Sequence, residues 1–275
     1  MNRETTLRWS GYVAMAIVFA IACAMLSNWQ FSRNAERDAE LALVESNYSQ
    51  APVPFDELLP DGTFDPTDEW RPVELTGRYL TDESLLVRNR PHGGTSAFEV
   101  LVPLRTGDGR VVLIDRGWVR PGDDQPAPDN IPAPPTGEVT VVGRLQPGEA
   151  AAREGRSAAD GQVPTIDLRL IGQETGQAGS LVESAYVLMT EETPAPAERP
   201  NALEDPSADP GPYLSYAIQW ILFAVMGFVF IWYMIRTEIR HRREDEENGP
   251  RTRTPRSARR RDRDMEAEDE LIDAR

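Results

Sequence analysis

The chain has 275 residues with 29 basic and 45 acidic side chains, a net charge of −16, and every basic residue is arginine. The acidity is local: residues 31–212 hold 15 Arg against 32 Asp and Glu, whereas residues 213–275 hold 12 of each. An acidic body without a basic face excludes nucleic acid as a partner. A single cysteine excludes an intrachain disulfide and a CxxC metal site, and the absence of lysine excludes a Schiff-base enzyme or a P-loop. The two histidines, His92 and His241, stand too far apart in sequence to suggest a metal site.

In chain order, the first element is an uncharged run of 24 residues, Trp9–Ser32, after a short N-terminus at 1–8. About twenty apolar residues cross a bilayer core, so this run reads as a first transmembrane helix, with Trp9 and Trp29 roughly 30 Å apart as interfacial anchors. Ala22-Cys23-Ala24 has the small-x-small form of a cleavage site. Met25 and Leu26 continue the apolar run past it, however, which favours a retained anchor. Residues 31–46 lack Gly and Pro and extend the helix until Pro52 and Pro54 break it.

Short β-type runs follow from Trp70. Val73–Tyr79 and Leu85–Arg90 read as a strand pair. Ala97–Arg105 and Arg110–Val119 read as a hairpin turned by Gly107-Asp108-Gly109. Glu138–Gln146, Thr165–Leu170 and Tyr186–Thr190 complete about seven strands. No helical pattern alternates with them, so the expected fold of 33–209 is an all-β domain, an antiparallel sheet or a partly open barrel. Pro-rich loops at 121–135 and 194–212 punctuate it, and 149–162 reads as a mobile Ala/Gly/Arg loop.

A second uncharged run of 26 residues, Pro210–Ile235, is the second expected transmembrane helix. Arg236, Arg240, Arg242 and Arg243 follow it closely, whereas the nearest basic residue before it is Arg199. By the positive-inside bias both termini are then cytoplasmic, in a multi-pass plasma-membrane protein whose acidic middle lies outside on proline tethers. The segment 236–275 reads as a charged, disordered cytoplasmic tail.

Catalytic chemistry is sparse, and no catalytic residue is assigned. Asp115 and Arg116 suggest either an acid/base pair or a structural ion pair, and the latter fits adjacent strand residues better. His92 sits in the turn Pro91-His92-Gly93-Gly94, where an exposed, inert imidazole is expected. The informative cluster is at the outer ends of the two spans: Trp29 and Gln30 on the first, Tyr213, Tyr216, Gln219 and Trp220 on the second. Residues 213, 216 and 220 share one helical face. Either these residues are an aromatic belt with a Gln30–Gln219 contact, or they line a groove for a planar ligand or a docking helix.

One family shares this order of motifs. Trp29-Gln30-x-x-Arg33, Trp70-x-x-Val73-x-x-x-Gly77-x-Tyr79 and Leu86-Val87-x-Asn89-Arg90 come first. Val100-Leu101-x-Pro103-Leu104, Asp108-Gly109-Arg110, Asp115-Arg116-Gly117-Trp118-Val119, Val141-x-Gly143-Arg144-Leu145 and Tyr216-Ala217-x-Gln219-Trp220 follow. Over residues 25–236 the chain resembles bacterial members of the surfeit-locus family of cytochrome c oxidase assembly factors. The resemblance implies a non-enzymatic biogenesis factor, a chaperone of the respiratory chain, for an aa3-type oxidase. It would assist haem a delivery to subunit I or stabilise subunit I, with haem a as a transient cofactor and subunit I and haem a synthase as partners. It also implies a haem-binding histidine at the head of the second span, where this chain has Tyr213. A tyrosinate ligates ferric haem, but a neutral phenol is a poor ligand. Arg116, Gly117 and Trp118 carry over by position, with Arg116 facing a haem propionate or Asp115 and Trp118 offering an amphipathic surface. The alternatives are a scaffold that docks oxidase subunits without haem, and a cryptic extracytoplasmic enzyme built on Asp115 and Arg116.

Overall fold

The computed structural model describes residues 3–123, 125, 127–152 and 161–248. Its contacts divide the chain into two units, residues 35–210 and the two flanking stretches together.

Helix α1 spans Arg3–Asn47, without interruption because no glycine or proline after Gly11 breaks it before Pro52. Helix α4 spans Tyr213–Asn248. Both contain a stretch long and apolar enough to cross a membrane. In the helical unit, the less exposed positions of α1 recur at Ala16, Ala20, Cys23, Ser27 and Gln30, and those of α4 at Ala217, Trp220, Ala224, Gly227 and Ile231. Alternating steps of four and three give each helix a narrow seam. The seam residues are mostly small, which lets the backbones approach. Ser27 Oγ donates to the Ala217 carbonyl at 2.9 Å, both residues buried. A Cβ on Gly227 would lie 3.3 Å from the Phe19 ring. Helix α4 runs past the expected boundary at Ile235 to Asn248, so the residues just beyond the apolar run are helical rather than disordered. The tail from 249 onward, and residues 153–160 of the loop expected at 149–162, lie outside the described residues.

The other unit is built on one eight-stranded sheet. In chain order it comprises β1 (Val53–Pro54), α2 (Phe55–Leu58), β2 (Pro72–Tyr79), β3 (Leu85–His92), β4 (Thr95–Thr106), β5 (Val111–Val119), β6 (Val139–Pro147), β7 (Gln162–Val163), α3 (Leu168–Glu174) and β8 (Ala185–Thr193). The order is β1-β2-β6-β8-β5-β4-β3-β7, and β2 also pairs with β4. The ring β2-β6-β8-β5-β4 is therefore closed. Contrary to the antiparallel expectation the sheet is mixed, because β5 runs parallel to β8, β1 to β2 and β3 to β7. Strands β2 and β3, expected to pair, do not: β2 lies between β6 and β4, while β3 pairs with β4 and β7. The β4–β5 hairpin forms on the expected turn, closed by Thr106 N–H to the Arg110 carbonyl at 2.9 Å.

Strand alternation sorts side chains onto two faces. Inside the ring, Val73, Leu75, Val100, Val102, Leu104, Val112, Ile114, Val141 and Val187 form the main core. On the outer face of β3–β5, Leu85, Val87, Leu101, Val111 and Leu113 pack under Ile166, Leu168 and Ile171. The segment expected as a strand at Thr165–Leu170 instead starts α3. Asp167 caps that helix by accepting from the amides of Arg169 and Leu170, and Leu168 and Ile171 reach the core at helical spacing.

Candidate functional site

Arg116 and Trp118 belong to the β unit; Trp29, Gln30, Tyr213, Tyr216, Gln219 and Trp220 belong to the helical unit. In the helical unit Tyr213, Trp220 and Gln30 are half-buried, whereas Trp29, Tyr216 and Gln219 are exposed. Ser27 makes a polar contact across the helices with Ala217, and among the described residues no hydrogen bond joins Gln30 to Gln219. Among the described residues the buried Gln30 Oε1 finds no donor.

In the β unit the motif Asp115-Arg116-Gly117-Trp118 has its chemistry set by a β-bulge. On β4, Glu99 pairs with Trp118 and Leu101 with Asp115, so Arg116 and Gly117 together oppose Val100. Gly117 has φ +117°, and a Cβ there would collide with the Asn201 carbonyl. The extra residue lets Asp115 and Trp118, three apart, share the outer face with Glu99. Arg116 points the other way, into the ring.

Arg116 is wholly enclosed and paired with Glu192 of β8, which is equally enclosed. Its Nη2 meets Glu192 Oε1 at 2.7 Å and its Nε meets Oε2 at 3.3 Å. Its Nη1 donates to the Pro132 carbonyl at 2.9 Å. The Tyr79 hydroxyl donates to Glu192 Oε2 at 3.0 Å, and the guanidinium lies 5.6 Å from the centre of that ring. Burial, then the Glu192 charge, holds the Tyr79 phenol far above its ordinary range, so it stays a donor. The expectation that Arg116 pairs with Asp115 or faces a propionate is thus corrected. Alternation places Asp115 on the opposite face, and the guanidinium is used inside the barrel.

On the outer face Asp115 is buried against a charged cluster. His92 Nε2 meets Glu99 Oε1 at 2.9 Å, Arg90 Nε meets Glu99 Oε2 at 2.8 Å, and Arg90 Nη2 meets Glu149 Oε1 at 2.6 Å. Glu149 Oε2 accepts from the Ile166 amide at 3.1 Å. His92 is therefore neither exposed nor inert. Its ring stacks on Trp118 with centroids 5.5 Å apart and planes 12° from parallel. Trp118 is only 8% exposed, so it offers little surface to a ligand. Instead it clasps the segment after β8. Its N–H donates to the Asn201 carbonyl at 2.9 Å and its own carbonyl accepts from the Asn201 N–H at 2.8 Å. The indole Nε1 donates to the Ala202 carbonyl at 3.0 Å. The expected proline tether is thus strapped down at Pro200–Ala202. Farther along it, Arg37 donates to the Ser207 and Asp209 carbonyls, and Tyr48 donates to Asp205.

Glu149 and Glu192 lie in stretches whose local pattern does not mark them as site residues. Glu99 had a signal: one acidic side chain in the otherwise apolar run Ala97–Leu104 has to be buried with a partner.

Two requirements for holding a haem are testable on these side chains. Both histidines are engaged, His92 with Glu99 and His241 near Glu244 at 3.7 Å, and neither stands at the head of α4. Arg116, the propionate partner suggested by position, is enclosed with Glu192. The residues present therefore do not fit haem ligation by histidine or propionate capture by Arg116. What remains at the helix heads is aromatic surface: Trp29, Tyr213, Tyr216 and Trp220.

Comparison with known proteins gives a consistent picture. The family model described as the SURF1 family matches residues 17–225. SURF1-like proteins from Mycobacterium bovis and Mycobacterium tuberculosis are 35% identical over 258 residues, covering 91% of this chain and 93% of each relative. The cytochrome oxidase assembly protein SHY1 of Saccharomyces cerevisiae is 29% identical over 123 residues, 43% of this chain and 30% of the yeast protein.

Proposed function

The chain belongs to the SURF1 family, and from that premise we propose that it assists assembly of an aa3-type cytochrome c oxidase by stabilising subunit I in the membrane. The observation that carries the proposal is the family match across both the helical pair and the β unit, together with the oxidase-assembly role named for the yeast relative. The fold supports it physically. Small residues join α1 to α4 along one seam, leaving Ile21, Leu222, Phe228, Phe230 and Trp232 exposed outside it. A folded water-soluble protein does not display such surface, which suits lipid and the helices of a membrane-embedded client. Both helices span the plasma membrane, with the Arg236–Arg243 end of α4 and the N-terminus in the cytoplasm and residues 35–210 outside.

The role is one of binding, not catalysis. Asp115 and Arg116 face opposite sides of the sheet with different partners, so they do not act as an acid/base pair. In this reading haem a belongs to the client rather than to this chain. This chain contributes aromatic packing from the helix heads and no iron ligand.

Two measurements test the proposal on tagged, full-length protein purified from native membranes. Subunit I is expected to co-purify. Haem a added to the purified chain is expected to keep the Soret spectrum of free haem, in the wild type and in Tyr213→Phe alike. Loss of subunit I from the pull-down would overturn the assembly role. A shifted Soret band abolished by Tyr213→Phe would instead make the chain a haem carrier.

A further inference from the structure

The outer-face cluster is not explained by oxidase assembly, and its geometry has a consequence for Trp118. Asp115 is 1% exposed, with Oδ1 accepting from the Gly117 amide at 3.0 Å. Its Oδ2 is sealed and, among the described residues, meets no donor. Among the described residues the titratable groups acting on it are Glu99 on β4, Arg90 on β3, Glu149 after β6 and Tyr186 on β8, and His92 is bonded to that Glu99. Glu99 and Glu149 share one guanidinium, Arg90, between them. Among the described residues a third carboxylate charge would thus meet no cation besides the shared Arg90 and no donor for its second oxygen.

The same few residues hold the strap. Asp115 accepts from the amide of Gly117, the residue whose backbone abuts Asn201. Glu99 orients His92, His92 stacks on Trp118, and Trp118 exchanges both backbone hydrogen bonds with Asn201. The turn closes tightly on the indole: a Cβ on Gly93 would lie 2.9 Å from it. We propose that Asp115 is a proton-operated latch, whose neutral acid keeps the bulge and Trp118 seated on the Pro200–Ala202 strap and whose ionised form releases that strap.

Burial first, then the Glu99 charge, raises the Asp115 carboxyl well above its ordinary range, so the seated state holds the proton where a free carboxyl loses it. The sign follows from linkage. The folded group binds more protons than the released one at every pH between its two titration points, so seating is strongest at low pH. It weakens as pH rises from about 4, by up to tenfold per pH unit, until the seated form itself titrates. Releasing the strap frees residues 200–202 from the sheet, while Tyr48 and Arg37 still hold Asp205, Ser207 and Asp209 farther along the same segment.

The test is native-state hydrogen exchange of the Trp118 and Asn201 amides in the full chain, expressed as protection factors so that intrinsic pH dependence cancels. In the wild type, protection is expected to fall with rising pH by up to tenfold per unit. In Asp115→Asn, which keeps the acceptor for Gly117 and cannot ionise, protection is expected to be flat and higher at neutral pH. In His92→Gln the slope is expected to persist. A slope retained in Asp115→Asn, or one lost in His92→Gln, would overturn the latch. Infrared spectra of the wild type give a check that needs no variant. A protonated-carboxyl stretch should survive above about pH 6, where ordinary carboxyls are ionised, and vanish in step with the protection. Its absence would equally overturn the proposal.

Discussion

Arg116→Met should be among the most damaging single substitutions in the β unit. Both Arg116 and Glu192 are fully enclosed, so methionine removes a guanidinium that makes two bonds to Glu192 and one to Pro132. Glu192 would be left as a buried charge with the Tyr79 hydroxyl as its remaining donor. Breaking a buried pair by removing one partner costs about 3–5 kcal/mol, a large share of the roughly 5–15 kcal/mol that stabilises a domain. Glu192→Gln strands the opposite charge and should cost a similar amount. The double variant Arg116→Met/Glu192→Gln strands neither charge, and glutamine still accepts from Tyr79. Its cost should therefore fall well short of the sum, with a coupling of at least about 2 kcal/mol. The assay is urea unfolding of the full chain in detergent, followed by near-ultraviolet circular dichroism, for all four proteins. Additive losses, or a single-variant loss under about 1 kcal/mol, would refute the view that this pair is sealed inside the barrel.

Gly117→Ala should detach the strap, since an alanine at φ +117° meets the Asn201 carbonyl. A loss of more than about 1 kcal/mol is expected, read as faster proteolysis within 194–209, and unchanged cleavage would count against the clasp. Ser27→Ala deletes the hydrogen bond to the Ala217 carbonyl and should weaken helix pairing by about 0.6 kcal/mol, measured by energy transfer between labels on α1 and α4. The hairpin turn predicts a small acid effect. Hydrogen bonds from the Thr106 hydroxyl and Arg110 lower the Asp108 carboxyl to about 2. Its contribution is present above the unfolded value near 4 and is lost as pH falls through about 2. Because Asp108 is solvent-exposed, Asp108→Asn should cost less than about 1 kcal/mol at pH 7 and nothing at low pH, by urea unfolding at both.

Local signals in the sequence were reliable where the chemistry is local. The Gly107-Asp108-Gly109 turn placed β4 beside β5, and the uncharged runs located both long apolar helices. Thr165–Leu170 misled because Ile166, Leu168 and Leu170 alternate like a strand, while the decisive residue is Asp167, whose carboxylate caps a helix. Strands β2 and β3 are neighbours in sequence but not in the sheet. The closing partner of β2 is β4, a choice made by global packing of the ring that no turn motif records. The site shows the same division. The Arg116-Gly117 bulge turns on a glycine that is visible in the sequence, whereas the partner of Arg116 lies 76 residues away on β8. His92 looked like an ordinary turn residue because Glu99 and Trp118, which fix it, come from two other strands.

The most direct measurement is the haem a band in reduced-minus-oxidised spectra of membranes from cells deleted for this chain, with and without the wild-type chain resupplied. An assembly factor for an aa3-type oxidase predicts a several-fold fall of that band in the deletion and recovery on resupply. A haem a band of full height in the deletion would contradict it.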